Sequence, residues 1–156
     1  MRKTYRVLAD IIAVGVVVQA MTMVFVVAGL FHWLDDGDSL DSGGLDQLRD
    51  GDLSFQGAAG YVMHAIVGGM VIPLVALALL IIAFFARVPG GVRWAAILVA
   101  SVLVQLIAGY GGYDAPWLGL IHGLNAFVLF SAAIFAARAA NPANEPDEQT
   151  AMAATP

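Results

Sequence analysis

The chain has 156 residues, 60% of them hydrophobic and only 12% charged, with a formal net charge of −5 and no cysteine. Its mean hydropathy is +0.83. An ordinary soluble domain is about half apolar and a quarter charged, so this excess excludes a water-filled surroundings and makes lipid the solvent. The missing cysteine excludes a disulfide framework, thiolate-bound clusters and covalent C-x-x-C-H haem attachment. The acidic balance gives no reason to expect a nucleic-acid partner.

The first apolar stretch, about residues 11–32, follows Arg2, Lys3 and Arg6. A basic start also fits a cleaved signal peptide. The apolar run outlasts the roughly 7–15 residues of a signal core, so an uncleaved membrane anchor is expected. Asp10 follows Arg6 by four, the spacing of an ion pair along one helix. Gln19 and Thr22 lie inside the span and His32-Trp33 close it. The stretch 33–57 is rich in Asp and Gly and reads as a solvated outer loop that lies as a cap over the mouth of the bundle. Its Asp-Asp-Gly-Asp run lacks the closing glutamate of a calcium loop. Arg49 is its only basic residue.

The second stretch, about 58–86, exceeds the roughly 20 residues that cross a ~30 Å hydrocarbon core. Pro73 cannot donate to the carbonyl of Gly69, which predicts a bend near Gly68-Gly69. Arg87-Val-Pro-Gly-Gly-Val-Arg93 is a tight turn into the third stretch, about 94–113. Gly111 to Trp117 is a second short connection, into the fourth, about 118–138. Helices joined so briefly are expected to be antiparallel neighbours. From Asn141 to Pro156 the tail is rich in Ala, Pro, Glu and Asp, the composition of a disordered cytoplasmic segment.

These elements make an all-α fold, a four-transmembrane-helix bundle of up-down-up-down course over residues 1–140. Orientation follows the basic residues. Arg2, Lys3, Arg6, Arg87, Arg93 and Arg138 fall on one side, which is then the cytoplasm. Asp35, Asp36, Asp38, Asp41, Asp46, Asp50, Asp52 and Asp114 fall on the other. The expected topology is N-in, C-in, as a multi-pass protein of the plasma membrane. Trp33, Tyr61, Tyr113 and Trp117 sit at the expected outer boundary, where an aromatic belt belongs.

Polar side chains at membrane depth are costly, which makes them the place to look for function. His64 lies a little over one turn inside the second span and His122 about one turn inside the fourth, so their depths match. In a four-helix bundle these spans occupy opposite corners, and two imidazoles facing across the diagonal can ligate both faces of one haem. Gly60, His64 and Gly68 share one helical stripe. Gly119, His122, Gly123 and Ala126 form a similar small patch, and Ala28, Gly29, Ala108 and Gly109 stand at comparable depth. Small side chains leave room for a flat porphyrin, although they are also the ordinary means of packing membrane helices closely. The metal ligands would be His64 and His122, the cofactor haem b, and Arg49 a partner for a haem propionate.

Three bland or rival readings stand beside this one. Each histidine can simply hydrogen-bond to a neighbouring helix. His32, turned inward, would make a three-histidine zinc site with the other two. Ser101, Gln105 and Asn125 read as interhelical hydrogen-bonding groups, with Gln105 or Asn125 able to orient an imidazole.

The Met63-His64 and Ile121-His122-Gly123 positions, on the second and fourth of four helices, resemble one half of haem A synthase. The likeness covers about residues 11–138. It implies haem ligation by His64 and His122. The family's catalytic half carries a glutamate three residues before the first histidine and often an arginine after it. Here those positions are Tyr61 and Ala65, so the resemblance does not extend to hydroxylation. The chain is also similar to small four-span actinobacterial membrane proteins without an assigned mechanism.

With no histidine near the inner face, one chain cannot hold a two-haem transmembrane wire. A single haem near the outside would exchange electrons with a quinone or an external donor. Two other classes remain: a non-enzymatic membrane subunit or assembly partner in a homo- or hetero-oligomer, favoured by the lack of a nucleophile, carboxylate pair or phosphate loop, and a small-solute transporter, which one four-span chain leaves little room for.

Overall fold

The computed structural model describes residues 1–141. The expectation for the acidic tail therefore falls, beyond Asn141, outside the described residues. Six α-helices follow one another: α1 (Arg2–Asp35), α2 (Ser42–Asp50), α3 (Ala58–Ile66), α4 (Ile72–Ala86), α5 (Gly91–Gly111) and α6 (Leu118–Ala139). No strand occurs among the described residues. A π-helical turn, Val67–Val71, joins α3 to α4, so the two make one continuous second span. Four helices are long and apolar enough to cross a membrane: Arg2–Asp35, Ala58–Ala86, Gly91–Gly111 and Leu118–Ala139. These lie on the four stretches expected from hydropathy.

Only 17–33% of each apolar window is buried within the bundle. Large side chains such as Phe31, Ile81, Phe84, Phe127 and Leu120 point outward. A soluble protein could not present so much contiguous apolar surface to water. The chain is a multi-pass membrane protein. At 34 residues, α1 runs about 50 Å at 1.5 Å per residue. That exceeds the ~30 Å core, which explains why its polar ends remain helical beyond the apolar stretch.

The four spans close a ring: α1 packs on the second span and on α6, and α5 packs on α4 and α6. The ring is unevenly filled. At the end that carries the N-terminus, Tyr5, Ala9 and Ile12 of α1 meet Ala76, Leu79 and Ala83 of α4, Ala95 and Leu98 of α5, and Ala133 and Ala136 of α6. The many alanines let the backbones approach, and dispersion over close surfaces is what binds helices in lipid. Tyr5 is completely buried and donates its hydroxyl proton to the Gly91 carbonyl at 2.9 Å. Arg2 Nη2 donates to the Arg87 carbonyl at 3.0 Å. Both acceptors flank the turn between α4 and α5, so the first turns of α1 clasp that connection.

Towards the opposite end this core stops. α3 lies along α1 and against α2, but makes no extended face with α5 or α6. The second span stands apart from its third and fourth neighbours there.

The loop expected to be merely solvated contains α2. Asp41 caps it, accepting from the Gly44 N–H at 2.8 Å, and Gly51 ends it in the left-handed region. After it, Gly57 has φ +102°, and a Cβ there would sit 2.7 Å from the Phe25 carbonyl oxygen. Only glycine permits both that conformation and that approach. The loop thereby lies down on α1.

The Tyr5 clasp gives a first expectation. Tyr5→Phe keeps the ring and strands the Gly91 carbonyl, and should lower stability by about 1 kcal/mol in thermal or denaturant unfolding in detergent. Val7→Ala, on the exposed face of the same helix, should change it far less.

Candidate cofactor site

The π turn decides where His64 points. An α-helix turns about 100° per residue. Continued without interruption, the helix would set His64 about 80° from the mean direction of Ile72, Ala76, Leu79, Ala83 and Ala86, the buried stripe of α4. The π turn absorbs one extra residue, its Ile72 N–H bonding the Val67 carbonyl, and brings His64 to within about 20° of that stripe. The cause is local. Pro73 offers no donor, so the regular ladder is already broken there, and Gly68 and Gly69 tolerate the wider turn. The expected disturbance at Gly68-Gly69 is thus present in the form of a register change.

Turned inward, His64 meets His122. Their ring centroids are 6.1 Å apart and the planes are inclined by 50°. Each Nδ1 rests on a backbone carbonyl of a neighbouring span: His64 on Gln19 at 3.3 Å, His122 on Gln105 at 3.0 Å. A carbonyl oxygen can only accept, so each Nδ1 carries the proton and each Nε2 keeps its lone pair. No hydrogen bond within the described residues engages either Nε2. Two imidazoles oriented through Nδ1 and free at Nε2 have the form of metal-ligating histidines.

The spacing fits a shared metal as well. A metal–imidazole nitrogen bond is about 2 Å, and the ring centre lies roughly 1 Å further, so two imidazoles on one ion have centroids about 6 Å apart. Tilted rings in ordinary contact span about 4.5–7 Å as well, so the spacing admits a shared metal without requiring one. In residue type and spacing the pair is compatible with a group ligated from both faces.

The surroundings divide into two unlike halves. On the α5–α6 side Asn125 Nδ2 donates to the Ser101 carbonyl at 2.8 Å and to Gln105 Oε1 at 2.6 Å. Ser101 Oγ donates to Asn125 Oδ1 at 3.0 Å. The network is closed and ties its members one turn beyond His122. Gln105 thus meets His122 through its backbone carbonyl and Asn125 through its side chain, and neither the Gln105 nor the Asn125 side chain hydrogen-bonds to the imidazole. On the α1 side, Thr22 Oγ1 donates to the Gln19 carbonyl at 2.9 Å, the same oxygen that receives His64. Yet the Gln19 side chain, only 8% exposed, has no partner for Nε2 or Oε1.

The glycines separate by role. A Cβ on Gly60 would meet Val26 Cγ2 at 2.9 Å and the Thr22 carbonyl at 3.1 Å, so this glycine lets α3 lie on α1. One on Gly68 would press on Gln19 Oε1 at 2.7 Å. Gly109, on α5, makes room for the His122 ring, whose Nδ1 would be 2.9 Å from a Cβ there. Gly119 and Gly123 have nothing within 4 Å of a Cβ position and border open space beside His122. Gly29, expected near the cofactor, is instead covered by the loop, and a side chain would collide with the Gln56 carbonyl.

His32 stays at the end of α1, exposed, 3.8 Å from Asp36. Among the described residues no group of three or more His, Cys, Asp or Glu is placed to hold a metal ion. The three-histidine zinc arrangement is thereby overturned. Arg6 lies 3.8 Å from Asp10, as its spacing suggests. Arg49 is spanned by Asp46 Oδ1 at 3.2 Å and stands over the Tyr113 ring, 5.0 Å from its centre. The Tyr113 hydroxyl pairs with that of Tyr61. Arg49, Tyr113 and Tyr61 so form a bridge across the gap between α3 and α5, which sequence reasoning did not find; the tyrosines read only as interfacial aromatics.

One family model matches part of the chain. It is a family of unknown function (DUF6220), over residues 54–111, a segment that holds His64, the π turn and Gln105 and ends before His122. No curated protein matches the chain, and no solved structure does.

Overpacking should separate the two kinds of glycine. Gly60→Ala is expected to lower stability by about 1–3 kcal/mol by forcing α3 off α1. Gly119→Ala should be neutral within about 0.5 kcal/mol, both read by unfolding in detergent.

Proposed function

We propose that the protein binds one haem b between His64 and His122, for electron transfer or haem handling near the outer face of the cell membrane. The observation that carries the reading is the pair of Nδ1-anchored imidazoles at 6.1 Å. The sparse backbone contact between α3 and the α5–α6 pair supports it, because a tightly packed core there would leave a porphyrin no entry. The resemblance of these histidine positions to those of one half of haem A synthase supports it too.

Within the site, the Gln19 and Gln105 carbonyls hold the Nδ1 protons, which keeps each ring in one tautomer and raises the basicity of Nε2. The Asn125 network fixes the segment of α6 behind His122. Gly109 sets the depth of that ring against α5. The Arg49–Tyr113–Tyr61 bridge supplies a cation and two hydroxyls at the open end, where carboxylate substituents of a haem are best accommodated. Bound there, haem supplies a one-electron couple tuned by its axial ligands.

In the membrane we propose an up-down-up-down course with both termini in the cytoplasm and α2 outside. The six basic residues at one end and the aspartates at the other carry this orientation. The native chain lacks cysteine, so single cysteines report cleanly. Gln47→Cys on α2 should react with a membrane-impermeant maleimide in intact cells, and Pro89→Cys should react only after lysis. The reverse pattern would invert the topology.

Haem binding is read from a reduced-minus-oxidised spectrum of protein purified from haem-supplied cells. The expected result is a low-spin haem b signal near one haem per chain, lost in His64→Ala and in His122→Ala and kept in His32→Ala. A folded, colourless wild type would end the haem reading and leave the cofactor-free membrane subunit in its place.

A further inference from the structure

The unpartnered amide of Gln19 marks a second place where a ligand belongs. Both of its polar atoms are shut from solvent and have no hydrogen-bond partner. In a membrane interior such an amide is expensive to keep empty-handed. The two halves of the site make the vacancy specific. Gln105 presents its carbonyl to His122 and its side chain to Asn125, three residues after that histidine. Gln19 presents its carbonyl to His64 in the same manner, but three residues after His64 stands Val67. One half carries its partner in the chain, and the other does not.

An apolar groove of about 430 Å³ lies on the outer face of α1 beside the π turn. Val7, Asp10, Ile11, Val14, Gly15 and Val18 line it along α1, with Asp10 near the N-terminal end beside Arg6, and Val67 lines it from the second span. The residues that follow Val18 and Val67 in the chain are Gln19 and Gly68, and these two press together, Oε1 lying 2.7 Å from the Gly68 Cβ position. Neither Gln19 nor Gly68 lines the groove itself, and the amide lies one residue past its head on both helices. From Val7 to Val18 the groove follows about 16 Å of helix, enough for an extended apolar chain.

We infer that Gln19 and this groove form a binding site for an isoprenoid-type quinone, with the ring at the amide and the tail along α1. The head must be uncharged to lie so deep, which excludes the ionic heads of phospholipids and fatty acids. It must also offer oxygen to Nε2–H and, in its reduced form, a hydroxyl to Oε1, which a quinone and its quinol do. Such a head would enter by separating Gln19 from Gly68, at the one point where the second span has already left regular helix. The binding site stands on its own geometry; its use as an electron partner of the imidazole pair rests on the haem reading.

Decylubiquinone titrated calorimetrically into the detergent-solubilised full chain tests this. Saturable binding of one molecule per chain is expected. Gln19→Leu should weaken it at least tenfold, and Gly68→Ala, whose methyl fills the space at Oε1, should weaken it as well. Gln19→Leu removes an unsatisfied amide, so its melting temperature should equal or exceed that of the wild type, which keeps a loss of binding from being a loss of fold. His122→Ala should abolish the haem signal and leave the quinone affinity within twofold, so the two proposals can fail separately. No saturable binding, or Gln19→Leu binding as tightly as wild type, would overturn the site, as would an ordered water on the amide with no quinone uptake.

Discussion

A membrane interior offers no water to a polar group, so every donor and acceptor there must find its partner in protein or ligand. The arrangement around the two imidazoles follows from that constraint. Helix carbonyls are already engaged in the backbone ladder, yet their second lone pair can accept a further proton. Gln19 and Gln105 lend theirs to His64 and His122. Once both Nδ1 protons are held in this way the tautomer is fixed, and the nitrogen left without a proton is the one able to bind a metal. The same constraint closes the Ser101–Asn125–Gln105 network and makes the lone Gln19 amide conspicuous.

The bundle divides stability from chemistry along its length. The alanine-rich core clasped by Tyr5 needs no cofactor to be complete. The other end has few buried side chains, small residues and a second span that stands off from α5 and α6. The packed end holds the helices together, and the two imidazoles lie beyond it where packing is sparser. The Arg49–Tyr113–Tyr61 bridge then spans an aperture which helix packing leaves unsealed.

Much of this was legible before any coordinates. Long apolar runs and the Arg87–Arg93 and Gly111–Trp117 connections defined the four spans, since lipid tolerates few other backbones. The histidine pair was legible because its members stand at equal distance from the ends of alternate spans. What escaped was local geometry. α2 was missed because its two leucines sit among glycines and aspartates, and only the Asp41 cap and Gly51 stop announce it. Pro73 signalled a disturbance, but a proline specifies a lost bond, not whether the chain bends or slips register. The glycine stripes were ambiguous for a chemical reason: a missing side chain serves close helix contact, as at Gly60, or open room, as at Gly119, and spacing alone does not distinguish them.

The five residues Val67–Val71 also make chain length a variable of the site. A sequence of the same length that ran through this stretch without the wide turn would keep the same hydropathy profile, the same crossings and both histidines. Its second span would be an uninterrupted α-helix and His64 would swing by about a quarter-turn away from the buried stripe, whereas an uninterrupted helix one residue shorter would keep His64 in phase. Two chains that look alike by composition and histidine count can thus differ in whether their imidazoles meet. A single gap in this stretch would then preserve the geometry, and a gapless match that lacks the π turn would change it, a distinction invisible to any comparison that scores residues and ignores phase.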